Sequence, residues 1–262
     1  MAQPIEDKIA LVTLSPQGLE IARKISLEVP SRIFVHSQAA QTNDYIVFDR
    51  VVELTGEIFQ SYKNIVYILP VGVAVRALAP YIQHKTTDPA VVTVDMGARW
   101  AVSLLSGHEG GANDLCLKVS NILGSEPIVT TATEARKDII VGIGCRRGAD
   151  SRDIVQAVTR TLEKVGLNLD RVRMLASVDI KKDEQGLIQA GLELGIPLYF
   201  IHGKQILNLP LNVTESEFVK ESVGLPGVAE PCALLAGRNT KLILGKTICK
   251  SVTIAVARED LL

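Results

Sequence analysis

Short apolar runs alternate along this chain with stretches whose apolar residues recur every three or four positions. Ile9–Leu14 is a continuous run that predicts a strand. Pro16, suited to the first turn of a helix, opens a stretch with Leu19, Ala22 and Ile25 on one face. Arg32–Val35 predicts the next strand and Ile65–Leu69 a fully buried one. Val73–Ile82 then predicts a helix after the Pro70-Val71-Gly72 turn. Ala90–Asp95 and Trp100–Leu105, separated by Met96-Gly97-Ala98-Arg99, predict a hairpin. Ala112–Leu123 predicts a helix stopped by Gly124, and Pro127–Thr131 a short strand.

The pattern then restarts. Asp138–Ile143 reads as a strand of the parallel-sheet type. Asp150 or Ser151 can cap a helix with Ile154, Ala157, Val158, Leu162 and Val165 at helical spacing. Val172–Val178, Leu198–Ile201, Leu242–Leu244 and Val252–Ala257 are further strands, with helices over Asp183–Leu194 and Glu215–Val223. Such alternation predicts the α/β class: two α/β domains with mostly parallel sheets and helices packed on them. The charged segment Thr133–Lys137 is the natural boundary, giving domains 1–136 and 137–262.

With 262 residues, 47 % of them apolar, the chain can bury a sizeable core. A formal net charge of −1 argues against a nucleic-acid partner but leaves room for a local basic pocket. Cys116, Cys145, Cys232 and Cys249 are too far apart for a CxxC site, so neither a zinc centre nor a disulfide framework is expected. Residues 1–13 lack the pattern of a signal peptide. The most apolar stretch, Asn64–Val75, is too short to span a bilayer, so the expectation is a cytoplasmic protein with no membrane partner.

Two strand-to-helix loops could carry chemistry. Leu105-Ser106-Gly107-His108-Glu109-Gly110-Gly111-Ala112-Asn113 is expected at the carboxyl edge of a sheet, where open α/β folds bind ligands. Gly107, Gly110 and Gly111 would let a ligand approach the backbone, and the helix start favours a carboxylate or phosphate. Ser106 and Asn113 add hydrogen-bonding groups, while His108 and Glu109 offer a base, an acid or a metal ligand. The plainer reading is a tight turn with a surface His108 and a capping Ser106.

The second loop is Gly142-Ile143-Gly144-Cys145-Arg146-Arg147-Gly148. Arg146 and Arg147 beside Gly144 suit a substrate with several carboxylates, because a guanidinium binds a carboxylate bidentately. Cys145, next to two cations and a helix start, is a candidate nucleophile with a lowered pKa. Alternatively it is a small core residue, and the arginines pair with acids such as Asp150 and Asp153. The glycine spacing fits neither a dinucleotide fingerprint nor a phosphate-binding P-loop. Arg76 reads either as a ligand contact or as a solvated helix arginine. Asp88 and Asp95 are acid/base candidates that also serve as plain turn residues.

Ser106–Asn113 (SGHEGGAN), with Pro70–Arg76 (PVGVAVR) and Thr87–Asp95 (TDPAVVTVD), resembles the N-terminal domain of the cobalt-precorrin 5A hydrolase, or CbiG, family. Gly142–Gly148 (GIGCRRG), Ala176–Asp179, Glu193–Pro197, Gly224–Glu230 and Val252–Arg258 resemble its C-terminal domain, which has stand-alone relatives such as CobE. Two features depart from the pattern. Many members carry a middle domain between the halves, and Met96 stands where a carboxylate is common.

The resemblance implies opening of the ring A acetate δ-lactone of a cobalt tetrapyrrole by water, with release of acetaldehyde, in anaerobic cobalamin (vitamin B12) biosynthesis. His108, Glu109 and Cys145 are then the catalytic candidates. Arg76, Ser106, Gly107, Gly110, Gly111, Asn113, Gly144, Arg146 and Arg147 are the substrate-binding ones. No metal site or protein-bound cofactor is expected, since cobalt arrives within the substrate. Expected partners are the tetrapyrrole, other cobalamin-pathway enzymes and a second copy of the chain. The competing reading is a non-catalytic carrier of a corrinoid intermediate.

Overall fold

The structure, a computed structural model, describes residues 8–40, 45–208 and 225–260. The chain divides into two compact units, Met1–Thr131 and Ala132–Leu262.

In the first unit the chain order is β1 (Ile9–Thr13), α1 (Pro16–Glu28), β2 (Ser31–His36), β3 (Ile46–Phe48), α2 (Val51–Phe59), β4 (Asn64–Ile68) and α3 (Val71–Leu78). It continues with β5 (Ala90–Val94), β6 (Trp100–Leu105), α4 (Ala112–Leu123) and β7 (Glu126–Ile128). The seven strands are ordered β3-β2-β1-β4-β5-β6-β7. β1 to β5 are parallel, whereas β6 runs antiparallel to β5 and β7 follows β6.

Strand periodicity explains the two helix layers. Ile9 and Leu11 face a layer with α1 and α4, packing with Ile21, Ile25, Leu115 and Val119. Ala10 and Val12 face the other layer, with Leu54 and Ile58 of α2 and Ala74 and Leu78 of α3. Both faces of β1 are therefore apolar, which is why its sequence shows no polar alternation. Ser15 caps α1 by accepting from Gly18 N, and Gly124, at φ 71°, ends α4.

The second unit contains β8 (Ile139–Cys145), α5 (Ser151–Lys164), β9 (Val172–Val178), α6 (Gln185–Leu194), β10 (Leu198–Ile201) and α7 (Gly203–Leu207). α8 (Ala229–Leu235), β11 (Thr240–Cys249) and β12 (Val252–Glu259) follow. The sheet order is β10-β9-β8-β12-β11, with β8, β9 and β10 parallel and the β11–β12 hairpin antiparallel. Ile139, Val141 and Ile143 pack on α5 and α6 through Ile154, Val158, Leu162 and Leu187. Ile140 faces the opposite layer, with Met174, Ile206 and Cys232. A Cβ on Gly142 would strike the Ala229 carbonyl oxygen and come within 2.8 Å of Ala233 N, so this glycine lets α8 lie directly on β8.

Some elements differ from the sequence expectation. The helix expected over residues 73–82 begins at Val71 and ends at Leu78, and the strand expected at 242–244 is part of the ten-residue β11. α2 gives a weak helical signal because Val51, Val52, Thr55 and Gly56 are poor helix formers. Packing supplies the missing stability: Gly56 seats the Tyr81 ring, whose hydroxyl lies 2.7 Å from where a Cβ would stand. The helix expected over Glu215–Val223 lies outside the described residues.

Candidate functional site

The first candidate loop joins β6 to α4 and is wound around two carbonyl oxygens. Ser106 O accepts from Gly110 N and Ala112 N, each at 3.1 Å, and Gly107 O accepts from Asn113 N at 3.0 Å. The glycines fit this winding for separate reasons. A Cβ on Gly107 would lie 2.6 Å from Thr131 Cγ2, one on Gly110 would strike Ser106, and Gly111 has φ 87°. Ser106 itself is left-handed, at φ 57°, and its buried Oγ has no hydrogen-bond partner. Asn113 is buried, and both ends of its amide are engaged: Oδ1 accepts from Ser103 Oγ at 2.8 Å, and Nδ2 donates to Thr131 Oγ1 at 3.1 Å. Among the described residues, the N–H groups of Gly107, His108 and Gly111 have no acceptor in the protein.

His108 and Glu109 are exposed at the tip of the loop. Lys85 Nζ lies 2.6 Å from Glu109 Oε1 and, with the glutamate's own backbone N–H, holds its carboxyl below the usual range. Asp88 is buried and accepts from Gln83 N, and Asp95 organises its hairpin by accepting from Gly97, Arg99 and Trp100 N. Both are turn-building carboxylates in this structure.

One expectation is corrected by topology. The loop does follow the carboxyl end of its own strand, but β6 runs against β1 to β5. It therefore lies at the edge where β1, β4 and β5 begin, which is how Lys85, just before β5, reaches Glu109. Pro70–Gly72 follow β4 at the opposite edge, and Arg76 folds back to donate to Gly72 O at 3.2 Å. A five-residue strand spans roughly 16 Å, so Arg76 is not brought to Ser106–Asn113.

The second candidate loop leaves the carboxyl end of β8, which it shares with the parallel neighbours β9 and β10. Arg146 and Arg147 are exposed and Gly148 is left-handed at φ 77°. Arg147 donates to Asp183 Oδ2 at 2.8 Å and to Ile180 O at 3.1 Å. Gly148 N donates at 2.9 Å to Oε1 of Glu184, a buried carboxylate whose other oxygen lies 3.5 Å from Lys181 Nζ. Gly144 is half-buried in β8 against Val228 and Thr253.

Cys145 does not carry the lowered pKa expected of it. Burial pushes the thiol up, and the opposing pull of Lys181 and Arg147 is too weak to reverse this, with Glu184 adding to the rise. The arginines also pair differently: Asp150 caps α5 and binds Arg152, Asp153 binds Lys250, and it is Asp183 that takes Arg147. Lys85, Asp183 and Glu184 belong to no recognisable motif because Glu109, Arg147 and Gly148, which they meet, are 24, 36 and 36 positions away; Lys181 meets Glu184 only three positions on, but its place beside the arginine loop comes from the sheet.

Comparison with known proteins matches both halves of this arrangement. Residues 53–134 match the family described as Cobalamin synthesis G N-terminal, and residues 139–257 match Cobalamin synthesis G C-terminus. The chain belongs to the CbiG family. Members of this family act in cobalamin biosynthesis, and the two candidate loops fall one in each matched region. The chain is 24 % identical to the cobalt-precorrin-5A hydrolase of Priestia megaterium over 357 aligned positions, covering 95 % of this chain and 94 % of the relative. It is 25 % identical to the cobalt-precorrin-5A hydrolase of Salmonella typhimurium, covering 96 % and 98 %. A putative cobalamin biosynthesis protein G homolog from Sulfolobus solfataricus is 23 % identical, with 97 % and 98 % covered and a TM-score of 0.39. The 357 aligned positions exceed the 262 residues of this chain, so the Priestia relative holds positions without counterpart in this short CbiG chain. Only residues 135–138 separate the two family matches.

Among the described residues no three His, Cys, Asp or Glu side chains form a metal-ligand group, and no helix is long and apolar enough to cross a membrane.

Proposed function

We propose that this chain is a cobalt-precorrin-5A hydrolase, adding water to the ring A acetate δ-lactone of its substrate and releasing acetaldehyde to leave cobalt-precorrin 5B. The observation that carries the reading is the alignment with two proteins of that name over nearly the full length of both partners. The chemistry of the loops agrees with a substrate rich in acetate and propionate arms. Arg146 and Arg147 offer guanidinium groups, and Gly107, His108 and Gly111 offer backbone N–H groups without internal acceptors.

In this reading a water loses a proton to His108 and attacks the lactone carbonyl. The unspent N–H groups of Gly107, His108 and Gly111 stabilise the oxyanion. The ring C–O bond then breaks, and the departing oxygen takes a proton to become a hydroxyl. Loss of that hydroxyl proton drives cleavage of the adjacent carbon–carbon bond. The oxygen becomes the aldehyde carbonyl, and the electron pair passes to the corrin macrocycle, which is reprotonated. Cobalt enters as part of the substrate, and the protein supplies positioning and proton transfer. Glu109, held ionised by Lys85, is the weaker base of the pair. Cys145, with its raised pKa, is not used as a nucleophile.

The test is anaerobic mixing of the purified chain with cobalt-precorrin 5A, with acetaldehyde assayed alongside the absorption spectrum. Acetaldehyde with a spectral change is the expected result. Binding without acetaldehyde would refute the hydrolase and leave a carrier. Replacing His108 by Ala should cut turnover by at least about a hundredfold, the usual loss for a general base. Undiminished turnover in that variant would remove His108 from the proton path.

A further inference from the structure

The carboxyl edge of the second sheet holds a partly buried cation that the activity described above does not use. Lys181 closes the single 3-10 turn Asp179–Lys181 that follows β9, beside the loop that leaves β8. Only 14 % of its side chain is exposed. An ammonium group carries three donors, and burying it is costly unless they are used. Its hydrogen-bond partner is Glu184, at a long 3.5 Å. Glu184 is itself divided, because its other oxygen accepts from Gly148 N at 2.9 Å in the arginine loop. Arg147, in the adjacent loop, is better matched, with two acceptors within 3.1 Å.

We propose that Lys181 is a carboxylate-binding residue of the arginine loop, an under-bonded ammonium that Glu184 holds at the carboxyl edge of β8 and β9 to take an acid arm of the tetrapyrrole. The site has a rigid support. Glu184 ties Gly148, at the turn of the loop, to Lys181, so the loop backbone and the ammonium are placed by one buried carboxylate. Arg147 is anchored to the same segment through Asp183 and the Ile180 carbonyl, so its guanidinium is held on the same side. The Cys145 thiol feels the charge of Lys181, which locates the ammonium near the end of β8. The ligand class is a multiply charged carboxylate. In naming the tetrapyrrole, the proposal rests on the assignment to corrinoid chemistry but not on lactone opening.

The experiment is equilibrium binding of cobyrinic acid, a stable cobalt corrin with free carboxylate arms, followed by its visible spectrum. The wild-type chain is compared with Lys181→Met, Lys181→Arg and the double variant Lys181→Met with Glu184→Gln. The double variant removes both charges and leaves no lone buried carboxylate, so folding is preserved while the ammonium is absent. Lys181→Met and the double variant should bind about tenfold more weakly or worse, the usual size for one charge-assisted contact, while Lys181→Arg stays within about threefold. Bound corrin should also slow iodoacetamide alkylation of Cys145 in the wild-type chain, read by peptide mass spectrometry. Wild-type affinity in the double variant, no binding by the wild-type chain, or no protection of Cys145 would each overturn the proposal. Binding is read without turnover, so a wild-type chain that binds yet releases no acetaldehyde defeats the hydrolase alone.

Discussion

Replacing Asn113 by Ala tests whether the β6–α4 loop is held by a buried amide. The Asn113 side chain makes two hydrogen bonds, from Ser103 Oγ at 2.8 Å and to Thr131 Oγ1 at 3.1 Å, and the residue is buried. Truncation removes both. Each such bond contributes about 1 kcal/mol net, and Ser103, being half-buried, cannot regain full hydration. The expected loss is therefore about 2 kcal/mol, equivalent to a fall of about 1 M in the urea midpoint for a typical small-protein slope. The chain has a single tryptophan, Trp100, on β6 in the first unit, so its emission reports unfolding of that unit. Asn113→Asp keeps the shape and the acceptor for Ser103 and can accept from the Thr131 hydroxyl, so it should lose less than Asn113→Ala. A midpoint unchanged by Asn113→Ala would refute the reasoning, because the amide would then tether nothing.

Gly142→Ala should destabilise the second unit by at least about 3 kcal/mol, since the new methyl meets backbone atoms of α8 that cannot turn aside; a near-neutral effect on its urea midpoint would contradict the packing of α8 on β8. Cys145 should be alkylated by iodoacetamide more slowly at pH 7 than an unhindered thiol, with reactivity rising only at more alkaline pH, because burial raises its pKa; fast reaction at neutral pH would show a thiolate and reopen a nucleophilic role. The Glu109 carboxyl should titrate below an ordinary glutamate in an NMR pH series and rise toward the usual range in Lys85→Met, with the part due to its own backbone N–H remaining. Its folded-state pKa is lowered, so the stabilisation from its ion pair is present at neutral pH and lost as pH falls through that pKa; an unchanged titration in Lys85→Met would refute the pairing.

Much of the architecture follows from sequence alone because it depends on local periodicity. A strand covered on both faces must be apolar almost throughout, as Ile9–Val12 and Ile139–Ile143 are, and a helix on a sheet must repeat its apolar residues as Ile154, Ala157, Val158 and Leu162 do. Stops and caps are equally local: Asp150 at the start of α5 and Gly124 at the end of α4 act through their own neighbours. The two glycine-containing loops stood out for the same reason, since their residue types are adjacent in the chain. Pairings across the fold could not be read this way. The expected hairpin of β5 and β6 is present, but only the assembled sheet shows that β6 opposes five parallel strands, which places Ser106–Gly111 on the edge away from Arg76. The environment of Cys145 likewise depends on burial, which no spacing encodes and which outweighs the nearby cations. The sequence by itself determined most of the strands and helices, α2 being an exception, and which loops carry reactive groups, because those properties are set by residues within a turn or two of each other. The tertiary structure alone decided which distant groups meet and how far each is desolvated, because strand direction and burial are properties of the packed sheet: Lys85 with Glu109, and Glu184 with Gly148.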